Sequence, residues 1–197
     1  MPKSKPSPRL NERFTDALSY TTRLHCSQAR KGTSIPYMAH LMAVCSLVLE
    51  HGGDEDEAIA ALLHDAVEDQ GGEPVLQEIN NLFGVKVAQI VKGCSDTDIL
   101  PKPPWKKRKQ DYIAHLSHAT PSVLLVSCCD KLHNANAILN DYREIGDEIW
   151  DRFNAGKKDQ LWYYGQLASA FRAREKELPS SLIQKFEATI SNLAKPT

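Results

Sequence analysis

Apolar residues recur at spacings of three and four along most of the chain. Leu10, Phe14, Ala17, Leu18, Thr21 and Leu24 form one such stripe and predict a first helix over residues 10 to 29. Gly32, Thr33 and Ser34 interrupt it. Pro36 suits the first turn of a second helix running to about Glu50, where His51-Gly52-Gly53 stops the pattern. Asp54 reads as the N-cap of a third helix reaching about Gln70, with Asp56 and Glu57 in the first turn, where negative charge complements the helix dipole. Gly71-Gly72 closes it, and Gly84 divides two short helices over residues 73 to 83 and 85 to 94.

Residues 95 to 104, SDTDILPKPP, read as a loop, after which Trp105 opens a basic helix to His118. Thr120-Pro121 starts another, which contains the apolar run Val123 to Cys129 and ends near Leu139. Two more helices, over about 157 to 175 and 180 to 194, complete the series. No segment alternates with the period of a strand, and there is no internal repeat or interior linker. The predicted fold is all-α, a compact bundle of about eight to ten helices. Residues 1–8, basic and proline-rich, read as a flexible tail ahead of one domain over 9–195.

Composition narrows the function classes. The 197 residues carry 24 Lys+Arg against 25 Asp+Glu, a net charge of -1, so there is no global attraction for nucleic acid and any anion site must be local. Five cysteines, an odd number with Cys128 and Cys129 adjacent, make a poor disulfide framework and fit a reducing cytoplasm. No run approaches the roughly 18 apolar residues of a membrane span, which predicts a protein without a membrane role. Oligomeric state is not readable.

Polar residues intrude into three apolar segments. In IAALLHDAVEDQ, His64 and Glu68 stand four apart, as do Asp65 and Asp69, so four polar groups protrude from one end of an otherwise apolar helix. His40 shares a helix face with Tyr37, Val44 and Val48, and Asp130 interrupts VLLVSCCDKL. Each has an ordinary reading: a hydrogen-bonded core histidine, a solvated last turn, an interface residue, an ion pair of Asp130 with Lys131. Ionised carboxylates are costly to bury, however, and a bound cation offsets that cost. Two imidazoles and two carboxylates suit manganese, iron, cobalt or zinc better than a calcium cage, with manganese preferred.

The segments ARKGTSIPYMAH at 29 to 40, LLHDAVED at 62 to 69 and CDKLHNA at 129 to 135 resemble the HD-domain hydrolases of the Rel/Spo type, in particular the stand-alone small alarmone hydrolases. The similarity extends over about residues 12 to 175. It implies an HD-domain helical fold, an Mn2+ ion on His40, His64, Asp65 and Asp130, and removal of the 3′-pyrophosphate from guanosine tetra- or pentaphosphate. By the same resemblance Glu68 and Asp69 occupy the place of the catalytic Glu-Asp pair. Arg30 and Lys31 match positions that pack on the base and contact phosphate, and Tyr37 and Asn134 match nucleoside-contacting positions.

Lys102, Lys106, Lys107, Arg108 and Lys109 cluster at the start of the helix opened by Trp105, where backbone N–H groups favour anions. Lys102, Arg108 and Lys158 are the phosphate candidates from the resemblance; a solvated basic face is the ordinary alternative. Gly32-Thr33 departs from the family's usual Gly-Glu-Pro, and Ala137 replaces a hydroxyl or charged group. Both bear on the choice of guanine or adenine, so an adenosine alarmone is an alternative substrate. Another HD-type nucleotide phosphatase or phosphodiesterase is a second alternative, and a nucleotide-sensing module without turnover a third. Trp150, Trp162, Tyr163 and Tyr164 are expected to serve chiefly as core.

Overall fold

Helix α8, Pro121–Ile145, is the axis on which the other elements pack in the computed structural model, which describes residues 10–96 and 101–195. The flexible-tail expectation for residues 1–8 lies outside the described residues, as does part of the loop expected over 95 to 104. Before α8 come α1 (Glu12–Leu24), α2 (Met38–Glu50), α3 (Glu55–Leu63), α4 (Ala66–Gln70), α5 (Glu73–Phe83), α6 (Val85–Cys94) and α7 (Trp105–Leu116). After it come a 3₁₀ helix, Gly146–Arg152, then α9 (Lys157–Ala173) and α10 (Ser180–Leu193). Among the described residues the only extended pairing is an isolated antiparallel bridge, Ala29 with Pro36. The expected all-α architecture is what the chain adopts.

The caps explain the boundaries. Asp54 accepts from the backbone N–H of Glu57 while Glu57 accepts from the Asp54 N–H, a reciprocal capping box that starts α3. Thr120 caps α8, whose first residue is Pro121, and Gly146, at φ 63°, stops it. Helix α8 therefore runs six residues past the expected end at Leu139, because Tyr142 is still buried.

One expected helix is two. The segment from Asp54 to Gln70 breaks at His64 and Asp65, where the backbone tightens into a turn between α3 and α4. No glycine or proline marks the break. Its effect is to put His64 and Asp65 at a corner, each free of the constraint that a continuous helix would impose on side-chain direction.

A single buried apolar cluster draws residues from all ten α-helices. It includes the fully buried Phe171 and Phe186, whose rings meet edge to face at 5.4 Å and tie α9 to α10. Helices α6 and α8 approach closely at Gly93, where an added Cβ would lie 2.6 Å from Val123 Cγ2. Arg174, just after α9, donates to the carbonyls of Leu116, Ser117 and Ala119 at 2.8 to 2.9 Å and pairs with Glu177, so it fastens the end of α7 to the end of α9. No helix among the described residues is long and apolar enough to cross a membrane.

Candidate metal centre and cleft

The chain brings together four polar side chains that its apolar helices would otherwise exclude. His40 enters from the first turn of α2, His64 and Asp65 from the α3–α4 corner, and Asp130 from the middle of α8. His40 Nε2 stands 3.6 Å from Asp65 Oδ2 and 3.3 Å from Asp130 Oδ1. His64 Nε2 stands 3.1 and 3.5 Å from the same two oxygens. Donor atoms of His40, His64 and Asp65 all lie within 4.8 Å of one another; Asp130 touches both histidines without joining that mutually close set.

The tautomers are set by the opposite ring nitrogens. His64 Nδ1 lies 2.8 Å from the Ala61 carbonyl, which can only accept, so Nδ1 carries a proton and Nε2 is the nitrogen left to meet a cation. His40 Nδ1 lies 2.8 Å from His133 Nδ1, a contact in which one ring must donate and the other accept. Both Nε2 atoms are buried, and neither has a hydrogen-bond partner among the described residues. Unsatisfied buried nitrogens are uncommon, and two that face shared carboxylate oxygens are what a divalent cation would satisfy. The donor set of two imidazoles and two carboxylates fits such an ion.

Charge agrees with geometry. Burial alone would lower the His64 pKa, but Asp65 and Asp130 outweigh it and hold the ring well above its ordinary value. For Asp65 burial raises and the two histidines lower, leaving its carboxyl well below the usual range. Asp130 is depressed likewise, burial being overcome by Lys131 and His64. Without a cation, a proton on the His64 ring supplies positive charge that the carboxylates favour.

Glu68 and Asp69 lie on α4, one turn beyond the corner. Lys102 Nζ bonds Glu68 at 2.8 Å, so one expected phosphate ligand is paired with one expected catalytic carboxylate. Gln28 bonds Asp69 at 2.8 Å. The Asp69 carboxyl is raised above its usual range, by partial burial first and by the charge of Asp65 second. Tyr37 donates its hydroxyl to Asp65 Oδ2.

A cleft of about 750 Å³ opens beside His40 and is lined by Arg30, Lys31, Tyr37 and Asn134, four of the seven expected substrate contacts. Arg30 donates to Asn134 Oδ1 at 2.9 Å, and Asn134 donates onward to Asp130 Oδ1 at 2.6 Å, a bonded line from the cleft to the metal centre. Of the basic cluster only Lys109 reaches this cleft. Arg108 is paired with Asp96 and the Pro103 carbonyl, Lys106 with Asp159, and Lys107 with Asp111. Lys158 is exposed and does not line it.

Residues that sequence reasoning did not single out complete the walls. Lys131 and Arg152 add positive charge, and His133 lines the cleft while supporting His40. His133 had a readable signal, since it stands three residues after Asp130 on the same helix face. Tyr163 and Tyr164 are buried as expected of core, yet both also border the cleft.

Comparison with known proteins adds a family. A model described as HD domain matches residues 17–160. The chain is 28% identical over 175 residues to the mouse (Mus musculus) guanosine-3′,5′-bis(diphosphate) 3′-pyrophosphohydrolase MESH1, covering 87% of this chain and 92% of that protein. It is 34% identical over 138 residues to the Xenopus tropicalis protein of the same name, covering 68% and 72%. A solved metazoan ortholog of SpoT, described as hydrolysing ppGpp, superposes with a TM-score of 0.77 at 21% identity over 95% of this chain and 99% of that one. A crystal structure from Listeria monocytogenes EGD-e superposes with a TM-score of 0.66 at 25% identity, over 77% and 96%.

Proposed function

The chain belongs to the HD domain family, and from that membership we propose that it is a metal-dependent hydrolase removing the 3′-pyrophosphate from guanosine tetra- and pentaphosphate. The observation that carries the reading is the pair of buried Nε2 atoms, on His40 and His64, that lack hydrogen-bond partners among the described residues and face the oxygens of Asp65 and Asp130. The relatives named for that reaction support the substrate class.

In this reading His40, His64, Asp65 and Asp130 hold one divalent ion, with manganese preferred. When bound, such an ion lowers the pKa of a water towards neutrality and polarises a phosphoryl oxygen. The remaining work belongs to side chains. Glu68 and Asp69 orient the attacking water, take up its proton and return one to the leaving oxygen. Arg30, Lys31 and Lys102 meet the phosphates, with Arg108 and Lys158 as outlying candidates that would have to move to reach them. Lys102 can change partners from Glu68 to phosphate, which would free the carboxylate as the anion arrives. Tyr37 and Asn134 border the nucleoside, and Tyr37 holds Asp65 through its hydroxyl.

Residues 9–195 act as one catalytic unit, and the five cysteines, all free, suit a reducing cytoplasm. The test is incubation of purified protein with Mn2+ and guanosine 3′,5′-bis(diphosphate), with products identified. Pyrophosphate release is expected. Orthophosphate as product would point to a different nucleotide phosphatase, and binding without product to a sensing module. The adenosine analogue in a parallel reaction decides base preference.

A further inference from the structure

Gln28 lies just beyond α1, where the chain turns back towards α2, and its backbone carbonyl accepts the Tyr37 N–H at 2.8 Å. Its carboxamide has three partners. The oxygen, Oε1, is 2.7 Å from His25 Nδ1 and 2.5 Å from Gln70 Nε2, while the nitrogen, Nε2, donates to Asp69 Oδ2 at 2.8 Å. A carboxamide oxygen only accepts, and two donors occupy both its lone pairs. Turning the amide over would set its NH2 against the NH2 of Gln70 and its oxygen against a carboxylate. The donor therefore has one place to go, which is Asp69.

The bracket behind Gln28 is firm. His25 is 2% exposed, and its ring stacks on Tyr37 at 5.6 Å, the same tyrosine that bonds Asp65. The network thus ties Asp69 through Gln28 to His25 and Tyr37, and back to Gln70 at the end of its own helix. Of the groups around Asp69, Asp65 and Glu68 are negative, and the Gln28 donor first and His25 next oppose them.

We propose that Gln28 is a positioning residue, holding Asp69 by one carboxylate oxygen so that the other faces the attacking water. This rests on the reading of Asp69 as a proton-handling group in the hydrolysis proposed above. Gln28 touches neither the ion nor the nucleotide; it acts through Asp69.

The test uses Gln28→Glu, which keeps an acceptor for His25 and Gln70 but replaces the donor facing Asp69 with an oxygen, and Gln28→Met, which removes both. Each should lower kcat roughly tenfold, the scale of losing one hydrogen bond to a charged group, with KM and Mn2+ affinity changed by less than about twofold. Thermal melting of the metal-free protein gives a readout independent of activity. Gln28→Glu should lower the melting temperature in the wild-type background and not in the Asp69→Asn background, because there the introduced carboxamide can donate to the introduced carboxylate. Unchanged kcat in both variants, an equal melting shift in both backgrounds, or loss of Mn2+ affinity along with kcat would overturn the proposal. If wild-type protein releases no pyrophosphate, or Asp69→Asn is fully active, the underlying reading fails instead, and the melting cycle still reports whether the two side chains are coupled.

Discussion

His40 Nδ1 and His133 Nδ1 stand 2.8 Å apart, nitrogen to nitrogen. One proton lies between them. If His40 is to offer Nε2 to a cation, its Nδ1 must carry that proton and His133 must accept it. The His133 pKa is lowered to about 4, by burial first and by the neighbouring His40 and Arg30 next, so at neutral pH its ring is uncharged and able to accept.

Replacing His133 with Phe keeps an aromatic ring in the wall and removes the acceptor. Metal affinity should fall by roughly 10- to 100-fold, the usual cost of losing the group that orients a ligating histidine. Titration of metal-free protein with Mn2+ measures it, and His133→Asn, which restores an acceptor, should recover most of the loss.

Asp65→Ala should abolish both metal content and turnover. Glu68→Ala and Asp69→Ala should slow turnover while metal content, read by elemental analysis, stays near one ion per chain. A chelator should inactivate the wild type, and added Mn2+ should restore it.

Protons and metal compete for His64 Nε2. Burial opposes the protonated form of His64, but Asp65 and Asp130 raise its pKa overall, so in the metal-free protein it holds a proton that a cation must displace. Mn2+ affinity should weaken as pH falls, and calorimetry in buffers of different ionisation enthalpy should detect proton release on binding. Equal apparent enthalpy in all buffers would contradict this.

Asp54 links a cap to acid stability. Burial raises its pKa, but Lys86 and the Glu57 N–H outweigh this, so in the folded state it lies below its ordinary 3.8. A depressed carboxyl stabilises the fold above its unfolded value, and the contribution disappears as pH falls through the folded one. Asp54→Ala should cost about 1 kcal/mol at neutral pH. Asp54→Asn should keep most of the cap and flatten the loss of stability below about pH 4. Urea unfolding at several pH values separates the two.

Phe186→Ala should destabilise the protein by about 3–5 kcal/mol, since the ring is fully buried against Phe171. A folded, metal-binding protein with an unchanged urea midpoint would contradict that packing role.

The helices were legible because their apolar periodicity is regular and because glycine, proline and an N-cap aspartate punctuate it. The break at His64 and Asp65 was not, for it lacks all of those residues; only tertiary packing turns the backbone there. The 3₁₀ helix at Gly146–Arg152 was missed for a similar reason: its 7 residues are too few to show a period. His40, His64, Asp65 and Asp130 stood out as polar intrusions in apolar helices, a local signal. Their supports did not. Gln28 meets Asp69 across 41 positions and His40 meets His133 across 93; the spacing of His133 from Asp130 hints at a place in the site, but nothing in one stretch of chain announces which distant residue either one meets. Clustering of charge likewise does not announce its own partners: Arg108 is held by Asp96 and Lys107 by Asp111.

Arg174 lies beyond residue 160, where the match to the family model stops, and yet it anchors the carbonyls that finish α7. Helix α7 carries Trp105 and Lys109, one flank of the opening above His40. A fragment trimmed to the matched segment would keep all four would-be ligands and still forfeit the fastening of that flank. The smallest piece worth expressing therefore extends past Glu177 and through α10, whose Phe186 packs on Phe171, and what recurs across a family need not be enough to stand alone.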